Sequence, residues 1–335
     1  MRVVAAFVVG FLVAPSGPIH LQEDPAHQAR ALHKKERRDK GGRRGPERAP
    51  AVPPVIAAAP VVAPQRGAAV VTDDMRVEAY RGLGSWVDWV DLAPWAHPVA
   101  TVRGMHERGV QTLFLQTSTY GLDVALKEPL AMGLFIEEAH RLGMNVVAWY
   151  VPSFAHMKVD LARVKAALDF RTPKGETFDS FALDIEATHV DDIATRNKRL
   201  IRMSEKIRAY TGPDYSLGAI TPDPVASRYW PNFPYRELTK TYDVFVPMGY
   251  FTFRARGFNN VKAYTAAGIR MIRKASGDPN FPIHAIGGIA GDTEPRDVRG
   301  FVSAVRASRV LGGSFYDYPI TNDEEWAALA PLSRR

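Results

Sequence analysis

Short apolar runs alternate with helical patterns along most of the chain, and this alternation predicts the fold. Eight runs have the length and composition of strands: 85–91, 110–117, 145–151, 180–186, 215–221, 244–250, 283–289 and 312–318. Segments with apolar residues at helical spacing follow them: 99–109, 129–143, 159–170, 190–210, 235–241, 261–275, 295–308 and 324–329. The pattern therefore predicts a protein of the α/β class.

The order and number of these units favour one architecture. Eight strand-then-helix units in roughly 255 residues match a (β/α)8 TIM barrel. The alternative is a doubly wound open sheet, which usually has a glycine-rich phosphate turn after its first strand. Here the first strand runs into Asp88, Trp89, Asp91 and Trp95 instead. We therefore expect the barrel, over residues 76–335.

The first 75 residues differ from the rest of the chain. Arg2 precedes an apolar run at 3–13, which suits the core of a signal peptide and is too short to cross a bilayer. Residues 18–75 lack an apolar period, being basic first and then rich in Pro, Ala and Val. These features predict a signal peptide at 1–17, a disordered linker at 18–75, and a protein that is secreted or held in the cell envelope.

Charge and cysteine content narrow the possible partners. The net charge is +7, with 11 Lys and Arg against 7 Asp and Glu in residues 1–75, and 32 against 29 in the remainder. The basic segment 30–48 lacks interleaved aromatic residues, so we expect loose contact with the cell envelope and no specific nucleic-acid partner. Cysteine is absent, which excludes disulfides and thiolate chemistry. No later segment is long and apolar enough for a membrane helix.

Two acidic residues on the fourth strand are the strongest chemical signal. TIM-barrel active sites lie at the C-terminal ends of the strands, and side chains two residues apart share a face. Asp184 and Glu186 should therefore face the barrel axis together, while Leu183 and Ile185 face the helices. Two neighbouring carboxylates in a partly dry site do not both ionise easily, so one is expected to keep its proton and serve as a general acid.

Aromatic and polar residues near the other strand ends suit a sugar ligand. Aromatic faces stack on the C–H faces of sugar rings, while polar groups bind the hydroxyls. For Trp86 and Trp149, packing in the barrel interior is an equally good interpretation. The predicted substrate-binding residues are Trp86, Asp88, Gln116, Trp149, Tyr150, Met248, Tyr316 and Tyr318. Histidines have no metal-ligand spacing, so we expect no metal and no cofactor.

The fourth strand also carries a resemblance to a known family. Its sequence FDSFALDIE resembles the D-G-x-D-x-D-x-E strand of glycoside hydrolase family 18, the chitinase type. Asp179 matches the first Asp of that motif, Asp184 the last, and Glu186 the catalytic acid. Ala182 stands in place of the middle Asp, and Ser180 in place of Gly. The chain is similar at least as much to related uncharacterised bacterial barrels.

Two further strands extend this resemblance. The sixth ends in Pro-Met-Gly-Tyr, which resembles the M-x-Y strand end of the family and implies that Tyr250 helps to hold the reacting sugar. Phe251 stands where an Asp usually follows. The eighth ends in Tyr-Asp-Tyr where the family commonly has a Trp. The D-x-E strand is also similar to that of family 25 lysozymes, but their Asp-Val-Ser opening is missing near 84–86.

The resemblance implies a glycoside hydrolase acting on a polysaccharide, with catalytic residues Glu186, Asp184, Tyr250 and Asp317. Glu186 would protonate the glycosidic oxygen, and Asp184 would orient an N-acetyl group or tune Glu186. A two-carboxylate mechanism is the alternative, with Asp317 or Asp88 as the partner and carboxylates about 5–5.5 Å apart for retention or about 6.5–9.5 Å for inversion. A non-catalytic carbohydrate-binding barrel stays open as a second function. A metal-dependent deacetylase is disfavoured because the strand ends lack His ligands.

Overall fold

A barrel of eight parallel strands forms the centre of the molecule. The computed structural model describes residues 73–226, 228–291 and 293–333. The strands are β1 (Gly82–Val87), β2 (Thr112–Thr119), β3 (Asn145–Val151), β4 (Ser180–Asp184), β5 (Leu217–Thr221), β6 (Val244–Pro247), β7 (His284–Ile289) and β8 (Gly312–Tyr316). Strands β1 to β6 pair in sequential order, β7 pairs with β8, and β1 pairs with β8. One bridge between Phe245 and Ile283 joins β6 to β7, so the predicted (β/α)8 barrel is confirmed.

Helices surround this barrel and connect its strands. They are α1 (Asp73–Val77), α2 (Leu92–Ala96), α3 (Pro98–Glu107), α4 (Pro129–Arg141), α5 (Met157–Leu168), α6 (Ile193–Thr211), α7 (Tyr235–Leu238), α8 (Phe258–Ser276), α9 (Pro295–Ala307) and α10 (Asp323–Leu329). Among the described residues, none of the helices has the length and hydropathy needed to span a membrane. The predicted signal peptide and nearly all of the predicted linker lie outside the described residues.

The predicted strands differ from those of the structure in their boundaries. The prediction for β3 matches the structure at both ends, but β1 begins three residues before its predicted start and ends at Val87. Strand β2 continues to Thr119, two residues beyond its predicted end. The start of β1 contains Gly82 and Gly84. Glycine is uncommon inside strands, so the sequence pattern does not extend the strand over these residues, although both are buried in the barrel.

The alternation of side chains divides the core into two layers. An outer core cluster packs between strands and helices and includes Leu183 and Ile185. An inner core cluster fills the barrel axis and includes Trp86, Phe114 and Ala182. Since Ala182 points inward and Leu183 outward, Asp184 faces the axis as the sequence predicted.

The segment before β1 closes the barrel at the N-terminal ends of the strands. Tyr80 is fully buried in the inner core cluster, and its hydroxyl lies 2.7 Å from the Ser180 hydroxyl. The Thr112 hydroxyl donates to the carbonyl of Ala79 at 3.0 Å, and His284 Nδ1 donates to the carbonyl of Tyr80 at 2.8 Å. This end of the barrel is therefore sealed, and the C-terminal ends of the strands form its mouth.

Candidate active site

Strand β4 brings the two predicted carboxylates to the barrel mouth. Asp184 is the last residue of β4 and is fully buried, with an exposure of 0%. Ile185 continues the ladder by donating to the Ile220 carbonyl at 2.9 Å, so the chain is still extended where it reaches Glu186. Glu186 is half-buried. The strand therefore presents one carboxylate inside the barrel and the next at its opening.

Stacked aromatic rings occupy the barrel axis. The Trp86 ring stacks on Phe114, with centroids 4.1 Å apart, and meets Trp149 edge-on at 5.7 Å. Trp86 Nε1 donates to the Ser314 hydroxyl at 2.9 Å. Both tryptophans are buried. They support the mouth from within, which fits the interpretation of these residues as packing of the interior.

Asp88 lies where the ends of β1 and β8 meet. Its carboxylate accepts a hydrogen bond from the Tyr316 hydroxyl and another from the Val90 backbone N–H at 3.2 Å. The Asp88 backbone N–H donates to the Asp91 carboxylate at 2.7 Å. These contacts fix the Asp88 carboxylate at the mouth, close to the aromatic residues of the axis.

Gln116 holds the loop that carries Asp88. Its side-chain oxygen accepts a hydrogen bond from the Trp89 backbone N–H at 3.0 Å, and Gln116 itself is buried. The amide therefore fixes backbone at the mouth, which is a positioning contact within the protein.

Strands β6 and β8 contribute the remaining predicted residues at the mouth. Met248, Tyr250 and Tyr316 all belong to the inner core cluster, and Tyr250 is 3% exposed. Asp317 follows β8 and is 1% exposed. Of the four residues predicted to be catalytic, Glu186 is the one that solvent reaches substantially. The roles of all four stay predictions.

No protein-family model matches this chain, and no curated protein matches it by sequence. Solved structures do resemble it. An endo-β-1,4-mannanase from Thermotoga petrophila has a TM-score of 0.59 at 13% identity, covering 77% of each chain. A chitinase from Chromobacterium violaceum has a TM-score of 0.53 at 12% identity, covering 76% of this chain and all (100%) of the other. The spore cortex-lytic enzyme SleL from Bacillus cereus has a TM-score of 0.55 at 10% identity, covering 76% and 75%.

The chain has the fold of these glycoside hydrolases. At identities this low the likeness concerns the course of the backbone, so the chemistry has to be argued from the side chains at the mouth. The resemblance recognised from the β4 motif is confirmed at the level of the fold.

Tyr150 does not lie at the mouth, contrary to our expectation. It belongs to the outer core cluster, and its hydroxyl donates to the Asp160 carboxylate of α5 at 2.7 Å. Asp160 also accepts from the backbone N–H groups of Ser153 and Phe154, at 3.1 Å each. Burial and the adjacent carboxylate both raise the pKa of Tyr150 above its usual range. Because neighbours on β3 alternate, inward-facing Trp149 forces Tyr150 outward, and we remove Tyr150 from the candidate site.

Tyr318 is likewise in the outer layer. It follows β8 in a short 3-10 helix and packs against Trp326 of α10, with ring centroids 6.0 Å apart. A side chain at Gly104 of α3 would collide with its hydroxyl. Burial raises the pKa of Tyr318. We therefore also remove Tyr318 from the candidate site.

Asp179, the first acidic residue of the β4 motif, sits at the opposite end of the strand. Its carboxylate accepts from the Val146 backbone N–H at 2.7 Å and lies 3.0 Å from His140 Nε2. His140 Nδ1 lies 2.7 Å from the Glu176 carboxylate. Hydrogen bonds with Asp179 first, and then with Glu176, raise the pKa of His140. Asp179 thus ties β3 to β4 far from the mouth.

Asp223, just after β5, faces the helical layer. The Tyr264 hydroxyl of α8 donates to one of its oxygens, and the Val225 backbone N–H donates to the other at 2.9 Å. Burial raises the pKa of Asp223. A cavity of about 20 Å³ beside it is lined in part by Tyr264, Thr265 and Gly268 of that helix. Asp223 is therefore directed toward α8.

Three residues at the mouth were missing from the sequence prediction. The Tyr120 ring lies 4.4 Å from the His189 ring, centroid to centroid, at an interplanar angle of 68°. Phe253 is 41% exposed, and its ring centroid lies 6.4 Å from that of Tyr250. Tyr120 was missed because the prediction ended β2 two residues early. Phe253 lies two residues beyond Phe251, the last position that the family resemblance covers after β6, so the resemblance gave no signal for it.

Two further features lie away from these residues. A surface groove of about 490 Å³ runs along α3 and α4, and its lining includes His97, Arg103, Glu107 and Leu134. No strand-end carboxylate contributes to it, so we do not assign the site there. Within the described residues, no group of three or more His, Asp or Glu side chains is arranged to hold a metal ion.

Proposed function

We propose that this protein is a glycoside hydrolase acting on a polysaccharide, with Glu186 as the general acid. The observation that carries the proposal is the pair at the end of β4: Asp184 is buried and faces the axis, and Glu186 reaches the opening. The fold is that of mannanases and chitinases, whose catalytic residues would occupy the same end of the barrel.

In this mechanism Glu186 donates a proton to the glycosidic oxygen as the bond to the anomeric carbon breaks. Asp184 orients the substrate or Glu186 from below. The next inward position beneath Asp184 is Ala182, so a methyl group occupies the place where a further carboxylate would stand. This departure favours the mechanism with a second carboxylate from across the mouth.

Asp88 and Asp317 are the candidates for that second carboxylate. Asp88 is held by two hydrogen bonds, from Tyr316 and from the Val90 backbone N–H, and it retains some exposure. Asp317 is almost completely buried. We therefore favour Asp88 as the group that activates water or attacks the anomeric carbon.

Hydrolysis of a glycan panel by matched variants tests the proposal. The panel contains chitin oligomers, peptidoglycan, α- and β-glucans, mannans and galactosaminoglycans. Glu186→Gln should lose most turnover without loss of folding stability, because Glu186 is half-buried. Glu205→Gln makes the same change at an exposed position of α6 and should behave as wild type. Equal turnover in wild type and Glu186→Gln would remove Glu186 from the mechanism.

The burial of the site favours a second candidate function, a non-catalytic carbohydrate-binding barrel. Asp184, Tyr250 and Asp317 are each at most 3% exposed. In that case both wild type and Glu186→Gln would bind a glycan from the panel, and neither would release a product. Binding measured by calorimetry beside turnover distinguishes the two functions.

We further propose that the protein is exported to the cell envelope or beyond it. The support is the apolar run at 3–13 and the Pro/Ala-rich composition that precedes the barrel. A reporter fused after residue 75 would remain inside the cell if this proposal is wrong.

A further inference from the structure

The barrel mouth carries two pairs of aromatic rings. We call Tyr120 and His189 the β2 platform, because Tyr120 directly follows β2; their ring centroids are 4.4 Å apart. We call Tyr250 and Phe253 the β6 platform, because both follow β6; their ring centroids are 6.4 Å apart. His189 and Phe253 are exposed, while Tyr120 and Tyr250 anchor the pairs in or against the inner core cluster.

The strand order places these platforms on opposite sides of the mouth. The barrel has eight strands in sequential order, so β2 and β6 are separated by half its circumference. Strand β4, which ends two residues before Glu186, lies midway between them on one side. His189, the exposed member of the β2 platform, lies three residues after Glu186, so a linear ligand that touches His189 and the β6 platform crosses the mouth beside Glu186.

Beneath Glu186 the barrel axis is filled by large side chains. Trp86, Trp149 and Tyr316 are all buried, and Trp86 contacts both of the others with ring centroids 5.7 and 6.2 Å away. A site that binds only the end of a polysaccharide chain needs a closed pocket in this position. Here buried aromatic rings fill that position, which suits a ligand that enters on one side of the mouth and leaves on the other.

We propose that a polysaccharide chain lies across the mouth from the β2 platform to the β6 platform and is cleaved at an internal bond. The exposed rings of His189 and Phe253 stack on sugar faces on either side of the bond presented to Glu186, and Tyr120 and Tyr250 hold them in place. In the reaction the anomeric carbon–oxygen bond breaks, Glu186 gives its proton to the leaving oxygen, and water supplies the hydroxyl and returns the proton. This inference rests on the proposed function and adds the mode of cleavage and the extent of the binding site.

Hexasaccharides and disaccharides of β-1,4-linked mannose, glucose and N-acetylglucosamine are the probes. Binding is measured by calorimetry on Glu186→Gln, alone and combined with Phe253→Ala or His189→Ala. Both platform changes are at exposed positions, so folding should be retained. The matched controls are Phe258→Ala, an exposed phenylalanine at the start of α8, and His106→Ala, an exposed histidine of α3.

Each platform variant should bind one of the hexasaccharides about threefold to tenfold more weakly than its control, with disaccharide binding unchanged. Wild type should release di-, tri- and tetrasaccharides from that hexasaccharide as first products. Monosaccharide plus pentasaccharide as the only first products, or platform variants equal to their controls, would overturn the inference while turnover still supports the hydrolase. Weaker binding by both platform variants without any turnover would overturn both the cleavage at an internal bond and the proposed hydrolase, and would favour the carbohydrate-binding barrel. Absence of binding to all three hexasaccharides would overturn the inference.

Discussion

The Tyr316 hydroxyl, at the end of β8, donates a hydrogen bond to the Asp88 carboxylate that follows β1. This contact joins the last strand to the first at the mouth of the barrel. Tyr316→Phe removes the hydroxyl and keeps the ring, so the buried Asp88 carboxylate loses one of its two hydrogen-bond donors. We expect a loss of about 1–2 kcal/mol in the free energy of unfolding, measured with denaturant, and a lower kcat on any glycan the wild type hydrolyses.

Tyr318→Phe is the control for that change, because Tyr318 lies two residues further on and packs in the outer layer. Its kcat should equal that of wild type. A kcat unchanged in Tyr316→Phe would show that the Asp88 carboxylate does not need this donor for turnover.

We expect Tyr150 to contribute to folding stability and not to ligand binding. Tyr150→Phe removes the hydroxyl that donates to buried Asp160, whose carboxylate keeps its contacts with Ser153 and Phe154. We expect the free energy of unfolding to fall by about 1–2 kcal/mol, with KM for a hydrolysed glycan unchanged. A raised KM at unchanged stability would return Tyr150 to the site.

His284 should make stability depend on pH. Burial lowers its pKa from 6.5 in the unfolded chain to about 4 in the fold. Between pH 6.5 and 4 the His284 side chain is therefore protonated in the unfolded state and neutral in the folded state. The free energy of unfolding falls over this range by about 3 kcal/mol in total. The stability difference between wild type and His284→Gln should shrink over this range.

Denaturant unfolding at several pH values measures that difference. His106→Gln, at an exposed position of α3, should keep the wild-type pH dependence. A constant difference between wild type and His284→Gln from roughly pH 7 to pH 4 would mean that His284 titrates alike in both states.

Gly218 gives room to the side chain that seals the closed end. A Cβ at this position would collide with the Tyr80 hydroxyl, which bonds to Ser180. Gly218→Ala should therefore displace Tyr80 and lower the free energy of unfolding by about 1–3 kcal/mol. Gly121→Ala, where a Cβ meets nothing within 4 Å, should cost little. Equal stabilities of the two variants, measured by thermal unfolding, would show that the closed end repacks freely.

Much of the candidate site was accessible from the sequence because strand geometry has a fixed period. The placement of Asp184 on the axis, with Leu183 and Ile185 outside, follows from alternation alone. The same rule, applied to β3, would have sent Tyr150 outward once Trp149 was taken as inward-facing. Tyr150 lies near the C-terminal end of β3, which suggests the mouth, but its side chain points to the outer layer.

Other features needed contacts between distant parts of the chain. The pairing of Tyr120 with His189 joins residues after β2 and β4, and the bond from Tyr316 to Asp88 joins β8 to β1. The seal formed by Tyr80 depends on space left at Gly218 and on Ser180. Nothing in the local pattern around any of these residues specifies its partner.

The sequence by itself determined the number and order of the strands and the face on which the β4 carboxylates lie. Both follow from local repeats of apolar side chains, every second residue in a strand and about every 3.6 residues in a helix. Burial of one face of each element imposes these repeats. Only the tertiary structure decided which residues line the mouth, how deeply Asp184 and Asp317 are buried, and where the aromatic platforms stand. These depend on closing the barrel, since closure brings side chains from separate strands together and fixes the space each can occupy.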